Sequence, residues 1–254
     1  MSEVRYERLL PHQVVEARNA CPLAYLPIGT VEWHGLHNPS GLDTLKAHAL
    51  CVRAAAQGGG LVMPPLWWGE HREIQLMEAN PSSSDGIASA MDLPPDNFAP
   101  GYMGGKSVEE QAHFYNDLLF HIYHQLASLG FKAIFVLCGH YPLQIYADYT
   151  ASIFMRESPV RVFGATEARL VSDLASELGG TVGDHAGRWE TSLLMALHAD
   201  LVDLDRLPPD PKEPLVGVGG QDPRQATAEF GQRAVEAIVE RMVSQGQDLL
   251  DEAD

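Results

Sequence analysis

The sequence predicts an α/β fold: three layers, α/β/α, with a mostly parallel central sheet. Three observations carry the prediction. Short apolar runs alternate along the chain with longer amphipathic patterns, the rhythm of strands joined by crossover helices. The runs are apolar almost throughout, as strands buried on both faces must be. Residues able to do chemistry cluster just after two of these runs, where open α/β sheets bind their ligands.

In chain order, LAYLPIG (23–29) reads as a buried strand and 43–57 as the helix after it, with Leu45, Ala49, Val52 and Ala56 on one face. LVMPPL (61–66) reads as a second short strand. Residues 77–106 break the rhythm, being rich in Pro, Gly and Ser without a period. A loop this long is usually a lid or binding loop. It is expected to be ordered, because Met91, Leu93, Phe98, Tyr102 and Met103 offer something to pack. A helix follows over 107–130, opened by a Ser107/Glu110 capping box and closed by Gly130. AIFVLCG (133–139) has the β-branched and aromatic content of a central strand. A helix over about 143–156, a strand at 160–165 and helices over 167–178, 188–198 and near 224–244 complete the pattern. No repeat or linker divides the chain, so one domain over 1–254 is expected, with an insertion loop at about 77–106.

Lys and Arg number 17 against 34 Asp and Glu, a net charge of −17. Nucleic acid and anionic membrane both need a basic footprint, so neither is an expected partner. No apolar run is long enough to span a bilayer, and MSEVRYERLL lacks the apolar core of a secretory signal. Cys21, Cys51 and Cys138 are odd in number and widely spaced. That suits reduced thiols and a cytoplasmic location.

The densest chemical cluster is GTVEWHGLHNPSGLD (29–43), which holds Glu32, His34, His37 and Asp43 directly after the first strand. Carboxylates and imidazoles together suit Zn²⁺, Mn²⁺ or Fe²⁺. In extended backbone, residues two apart face the same way, so Glu32 and His34 can meet one metal. Asp43 opens a helix, where a carboxylate also serves as a plain cap. His140 ends the third strand and so lies on the same sheet edge. In GDHAGRWETS (183–192), Gly183 and Gly187 permit close backbone approach, while His185 and Glu190 flank the turn into a helix. Either of these two could equally be structural.

Together the segments resemble the creatininase family. LPIGTVEWHGLHNPSGLDT is similar to its leading motif, L-P-x-G-x-x-E-x-H-G-x-H-x-P-x-x-x-D-T; CGH matches the centre of its N-G-H segment, and HAGRWETS its H-A-G-x-x-E-T-S segment. The likeness runs from about residue 5 to 240. It implies one or two divalent metals per chain, a small-molecule substrate and a homo-oligomer such as a hexamer. By position, Glu32, Asp43 and His140 would bind one metal, and His34 and Asp43 the other, with Asp43 bridging. His185 would move protons to and from substrate, and Glu190 and His37 would sit beside or just behind the ligands.

Three departures lie where substrate would be read. The family enzyme that opens creatinine carries G-H-Y-E-N, whose Glu completes the second metal site. Here the sequence is GHYPLQ, with Tyr141 kept and Pro142 in the ligand's place. WWGEHRE (67–73) differs from the usual Y-G-x-S-x-E-H and puts Glu70, His71 and Arg72 near the expected pocket. The 77–106 stretch is long yet keeps Pro100-Gly101 of the F-P-G-T segment. The expected activity is hydrolysis of a small cyclic amide or related C–N bond by hydroxide made available on the metal at neutral pH. Creatinine itself is not the expected substrate. Trp67, Trp68, His71, Tyr141 and His37 would help to line the pocket. Ring-opening of a cyclic ketone such as a dehydro-inosose is the alternative enzyme activity, with Gln75 joining Glu70, His71 and Arg72 on the substrate's hydroxyls. A metal-binding protein without turnover is the other.

Overall fold

The computed structural model describes residues 3–69, 76–98 and 106–253. Within them, four parallel strands form one sheet: β1 (Leu23–Ile28), β2 (Leu61–Val62), β3 (Ala133–Cys138) and β4 (Arg161–Ala165), in the order β2-β1-β3-β4. β1 and β3 pair along their full length, from Leu23 against Ala133 to Ile28 against Cys138. Every residue of both strands is buried, as apolar runs predict for a sheet covered twice.

Alternate side chains feed two separate cores. Leu23, Tyr25, Phe135 and Leu137 pack with α2 (Leu42–Gly58), α7 (Arg188–Leu197) and α8 (Ala228–Asp251) on one face. Leu26, Ile28, Ile134 and Val136 pack with α4 (Val108–Ser128) and α5 (Leu143–Phe154) on the other. The three-layer α/β/α expectation holds. Among the described residues, no helix is long and apolar enough to cross a membrane.

Most elements fall where the sequence puts them; α1 (Pro11–Ala20) is an unpredicted helix ahead of β1. The Ser107/Glu110 box caps α4 reciprocally, at 3.2 and 2.9 Å. Three expectations need correction. β2 stops at Val62 because Pro64 and Pro65 have no N–H for a ladder; the chain rejoins the sheet only at Leu66, which bridges to Ile28. The helix expected over 167–178 is only α6 (Glu167–Leu170), since Val171 leaves helical geometry and Ser172 bonds back to the Arg169 carbonyl. The stretch expected as a loop contains α3 (Ser84–Ala90), too short and too rich in Ser for a readable period, with Ile87 and Ala88 buried. Glu70, His71, Arg72, Gln75, Pro100-Gly101, Tyr102 and Met103 lie outside the described residues.

The topology itself makes the cleft. From β1 the chain crosses to β2 on one side, then returns to β3 on the other, so the order reverses between β1 and β3. Loops leaving the carboxyl ends of those two strands part from one another there, which opens a crevice. Two glycines bring α2 against it. A Cβ at Gly29 would lie 2.7 Å from Thr44 N, and one at Gly139 would overlap the Asp43 carbonyl.

Candidate metal centre

At this crevice the structure brings Glu32, His34, Asp43, His140, His185 and Glu190 together. Glu32 and His34 follow β1, His140 follows β3, and Asp43 stands in the first turn of α2. Glu32, His34 and Asp43 are each 1% exposed and His140 is 4% exposed, so these four are out of water, while His185 is partly buried. Charged groups persist at such depth only when paired or bound to an ion.

Asp43 divides the cluster in two. Its Oδ2 lies 3.3 Å from His140 Nδ1, which is 3.0 Å from Glu32 Oε2. Its Oδ1 lies 3.1 Å from His34 Nε2, which is 3.7 Å from Glu190 Oε2. Glu32–Asp43–His140 and His34–Asp43–Glu190 are thus two candidate ligand groups, and Glu32–His34–His185 is a third. Donor atoms about 2.1 Å from a shared ion stand roughly 3.0–3.4 Å apart, which is the spacing around His140 Nδ1. Among the described residues, Glu32 Oε2, Asp43 Oδ2 and His140 Nε2 also lack hydrogen-bond partners. Buried polar atoms are nearly always partnered, so two such oxygens converging on one point leave room for a further group between them. The first group fits a divalent cation.

The electrostatics agree. Burial opposes charge on Asp43, yet the His34 and His140 rings hold its carboxyl well below the usual range. Burial likewise opposes charge on His34, but Asp43, helped by Glu190 and Glu32, raises its pKa to about 9. His140 rises well above its ordinary value for the same reason, through Asp43 and Glu32. These rings are clamped by anions that a cation would otherwise share.

The supporting contacts are specific. Glu32 Oε1 accepts from Met77 N at 2.8 Å, which directs Oε2 toward His140. Glu78 accepts from Trp33 N at 2.9 Å. His185 Nε2 lies 2.8 Å from the Trp33 carbonyl and its ring stacks on His34. Next to it Ala186 adopts left-handed backbone (φ 55°), a conformation that costs about 1 kcal/mol and is held by Glu190 Oε2 on its N–H at 2.9 Å. His37 is buried and does not face the cluster. Its Nε2 is bonded to Ala186 O and Thr191 Oγ1, both at 3.1 Å, and burial lowers its pKa to about 4 against the pull of the Ala186 carbonyl. It braces the His185 segment as a neutral ring. The Tyr141 hydroxyl donates to Glu167 at 2.7 Å, away from the crevice mouth. Trp67 packs beside Gly41, and Trp68 is 71% exposed.

Sequence reasoning missed a buried ion network behind the centre. Lys46 is fully buried, its Nζ 2.5 Å from Glu190 Oε1 and 2.9 Å from Glu167 Oε1. The signal was present: Lys46 lies one turn after Asp43, on the same helix face. Burial works against charge on Glu190, but Lys46 and His34 keep its pKa low. Asp184, just before His185, takes the N–H groups of Trp189 and Glu190 at 2.8 and 3.1 Å. Burial and then Glu190 raise its pKa to about 7.

Comparison with known proteins agrees with this geometry. The creatininase profile, described as creatinine amidohydrolase, matches residues 7–81 and 101–245. The chain is 28% identical over 198 residues to creatinine amidohydrolase of Pseudomonas putida, a match covering 72% of this chain and 66% of that protein, just short of two thirds. It is 31% identical over 68 residues to 3-dehydro-scyllo-inosose hydrolase of Thermotoga maritima, covering 27% of this chain and 22% of that one. The fold superposes on a crystal structure of creatinine amidohydrolase with a TM-score of 0.73 at 24% identity, covering 98% and 99% of the two chains. A creatininase variant of Zn-Zn type and a Mn creatininase superpose with TM-scores of 0.71 and 0.67, each at 24% identity over 96% of this chain and 97% of theirs. With a family profile matched across most of its length, and that family's motifs converging on one buried centre, the chain belongs to the creatininase family.

Proposed function

We propose that this protein is a metal-dependent hydrolase that opens a small cyclic amide or a related C–N bond. One observation carries the reading: buried Glu32 Oε2, Asp43 Oδ2 and His140 Nδ1 converge at ligand spacing, with the two oxygens lacking hydrogen bonds among the described residues. Zn and Mn forms among the structural neighbours make these two ions the first to try. A divalent ion held there lowers the pKa of a bound water toward 7 and polarises a carbonyl.

The chain's own groups do the rest. Glu32 is held by Met77 N–H, so its free oxygen keeps one direction. His185 uses Nε2–H on the Trp33 carbonyl, because a carbonyl only accepts. Nδ1 is left as the basic nitrogen, able to take a proton from water and return it to the departing nitrogen as the C–N bond breaks. Glu190 fixes the Ala186 backbone beside it. The 77–98 segment, tied to Glu32 and Trp33, bounds the crevice. A binding protein without turnover would need no such proton carrier. Hydrolysis of a cyclic ketone is the second reading, favoured by the stretch shared with the Thermotoga enzyme. The family resemblance and the widely spaced cysteines support a cytoplasmic homo-oligomer, whose oligomeric state light scattering reads directly.

The test is a screen of the Zn- or Mn-loaded protein against creatinine, other cyclic amides, formamides and inososes. Turnover should vanish with chelator and return with metal. Less than about a tenth of an equivalent of bound metal after reloading would sink the metal assignment.

A further inference from the structure

The two halves of the centre differ in what their donor atoms already do. In the Glu32–Asp43–His140 half, buried Glu32 Oε2 and Asp43 Oδ2 lie 3.0 and 3.3 Å from His140 Nδ1, a member of the same group, and have no other partner among the described residues. In the His34–Asp43–Glu190 half, each donor is engaged. His34 Nδ1 lies 3.1 Å from the Glu32 carbonyl, and Nε2 lies 3.1 Å from Asp43 Oδ1. Glu190 Oε2 accepts from Ala186 N at 2.9 Å, and its Oε1 accepts from Lys46 Nζ at 2.5 Å.

Lys46 is what sets the second half apart. Its ammonium has no exposure, is clamped between Glu190 and Glu167, and lies 5.0 Å above the Tyr141 ring. Such a charge cannot swing out to water, because the side chain is enclosed by α2, α7 and the start of α6. Pro142, two residues after His140, precedes α5, and its side chain offers no donor to a metal. The second half therefore carries a fixed cation of its own. A divalent ion entering it would share Glu190 with a fixed ammonium, in a low-dielectric pocket where like charges repel strongly.

On the reading of this chain as a metal-dependent hydrolase, we propose that it holds a single divalent ion, at Glu32, Asp43 and His140, and that Lys46, seated on Glu190, takes the place of a second. Lys46 is thus a positioning residue. It holds Glu190 directed at His34 and Ala186 without a second metal.

The experiment counts ions and does not depend on turnover. The protein is loaded with excess Zn²⁺ or Mn²⁺ and freed of unbound metal by gel filtration. Metal per chain is then measured by mass spectrometry, and the Mn²⁺ form by electron paramagnetic resonance. The expected result is one ion per chain, with the spectrum of an isolated Mn²⁺. Two ions per chain, or the spectrum of an exchange-coupled pair, overturns the proposal and leaves the hydrolase reading standing. No bound ion overturns the hydrolase reading itself. Pro142→Glu alone should stay at one ion, because Lys46 remains; reaching two would refute the role given to Lys46. Pro142→Glu combined with Lys46→Leu should take up the second. If that double variant folds by circular dichroism and still holds one ion, Lys46 is not what excludes the other. Should it fail to fold, the unmodified protein and Pro142→Glu still decide the matter.

Discussion

The rings of His34 and His185 lie 4.5 Å apart between centroids with their planes 30° from parallel, so a fully buried imidazole is roofed by a partly buried one. The stack joins two distant stretches of chain, and the same stretch fixes it twice: Trp33, the neighbour of His34, supplies the carbonyl that holds His185 Nε2 at 2.8 Å. Anything that shifts His34 therefore also shifts the tautomer and aim of His185.

His185→Ala should accordingly lower kcat by about 10²–10⁴-fold, the usual worth of a placed acid–base group, with metal content unchanged. Steady-state kinetics on whichever substrate the screen finds, alongside metal analysis of the same preparation, checks both halves. Undiminished turnover would refute the proton-transfer role. Lost metal would instead make His185 a ligand.

Gly139→Ala tests the architecture under the centre. A methyl group there would overlap the Asp43 carbonyl and press on Ala47, so β3 and the start of α2 would have to part. Overpacking of this kind costs about 1–3 kcal/mol or more. Because Asp43 bridges both halves, the displacement should also weaken metal binding. Urea denaturation and a metal competition titration are expected to move together. A variant that loses stability yet binds metal normally would show that Asp43 is placed by other contacts.

The parts of this molecule legible in the sequence were those governed by local rules. β1 and β3 were plain because a strand buried on both faces is apolar throughout, and the first candidate ligands were plain because they follow such a strand within a few residues. Lys46 was not, since only the fold shows that Glu167 and Glu190, far away in sequence, close around it. The partners of His37 were hidden for the same reason. Its Nε2 bonds Ala186 and Thr191, partners about 150 residues away that only the fold brings near. The helix expected over 167–178 failed because burial of Glu167 and the bend at Val171 outweigh a favourable helical pattern.

The metal-free protein should lose stability as the solution turns alkaline. His34 has its pKa raised to about 9 by Asp43, Glu190 and Glu32 acting against burial, so the folded state holds a proton that the unfolded chain gives up near its ordinary 6.5. The stabilisation is fully present below about pH 6.5 and is lost as the pH climbs through about 9. His140 acts in the same direction. Asp43 acts oppositely: its depressed value stabilises the fold above the ordinary carboxylate range and fails on acidification. Metal reverses the alkaline loss, because it needs neutral rings and binds better as protons leave. Melting curves with chelator and with Zn²⁺ should thus diverge steadily from about pH 6 to 9. Parallel curves would mean that the two rings titrate alike in both states.

Glu78→Ala should weaken the centre without touching a ligand. Glu78 accepts the Trp33 N–H at 2.9 Å, and the neighbouring Met77 N–H holds Glu32 Oε1 at 2.8 Å, so one short turn grips both sides of the loop that carries Glu32 and His34. Trp33 is anchored further by its indole N–H on the Val216 carbonyl at 2.8 Å. Removing the carboxylate leaves a buried N–H without its acceptor, a loss of about 1–3 kcal/mol. It also frees the loop to move, and loosening the supports of metal ligands typically costs about 10–100-fold in affinity. Glu78→Gln keeps an acceptor oxygen in place and should retain most of both. A competition titration with a chromophoric chelator separates the two variants. If Glu78→Ala binds metal as tightly as the unmodified protein, the 76–98 segment covers the centre but does not hold its ligands in position.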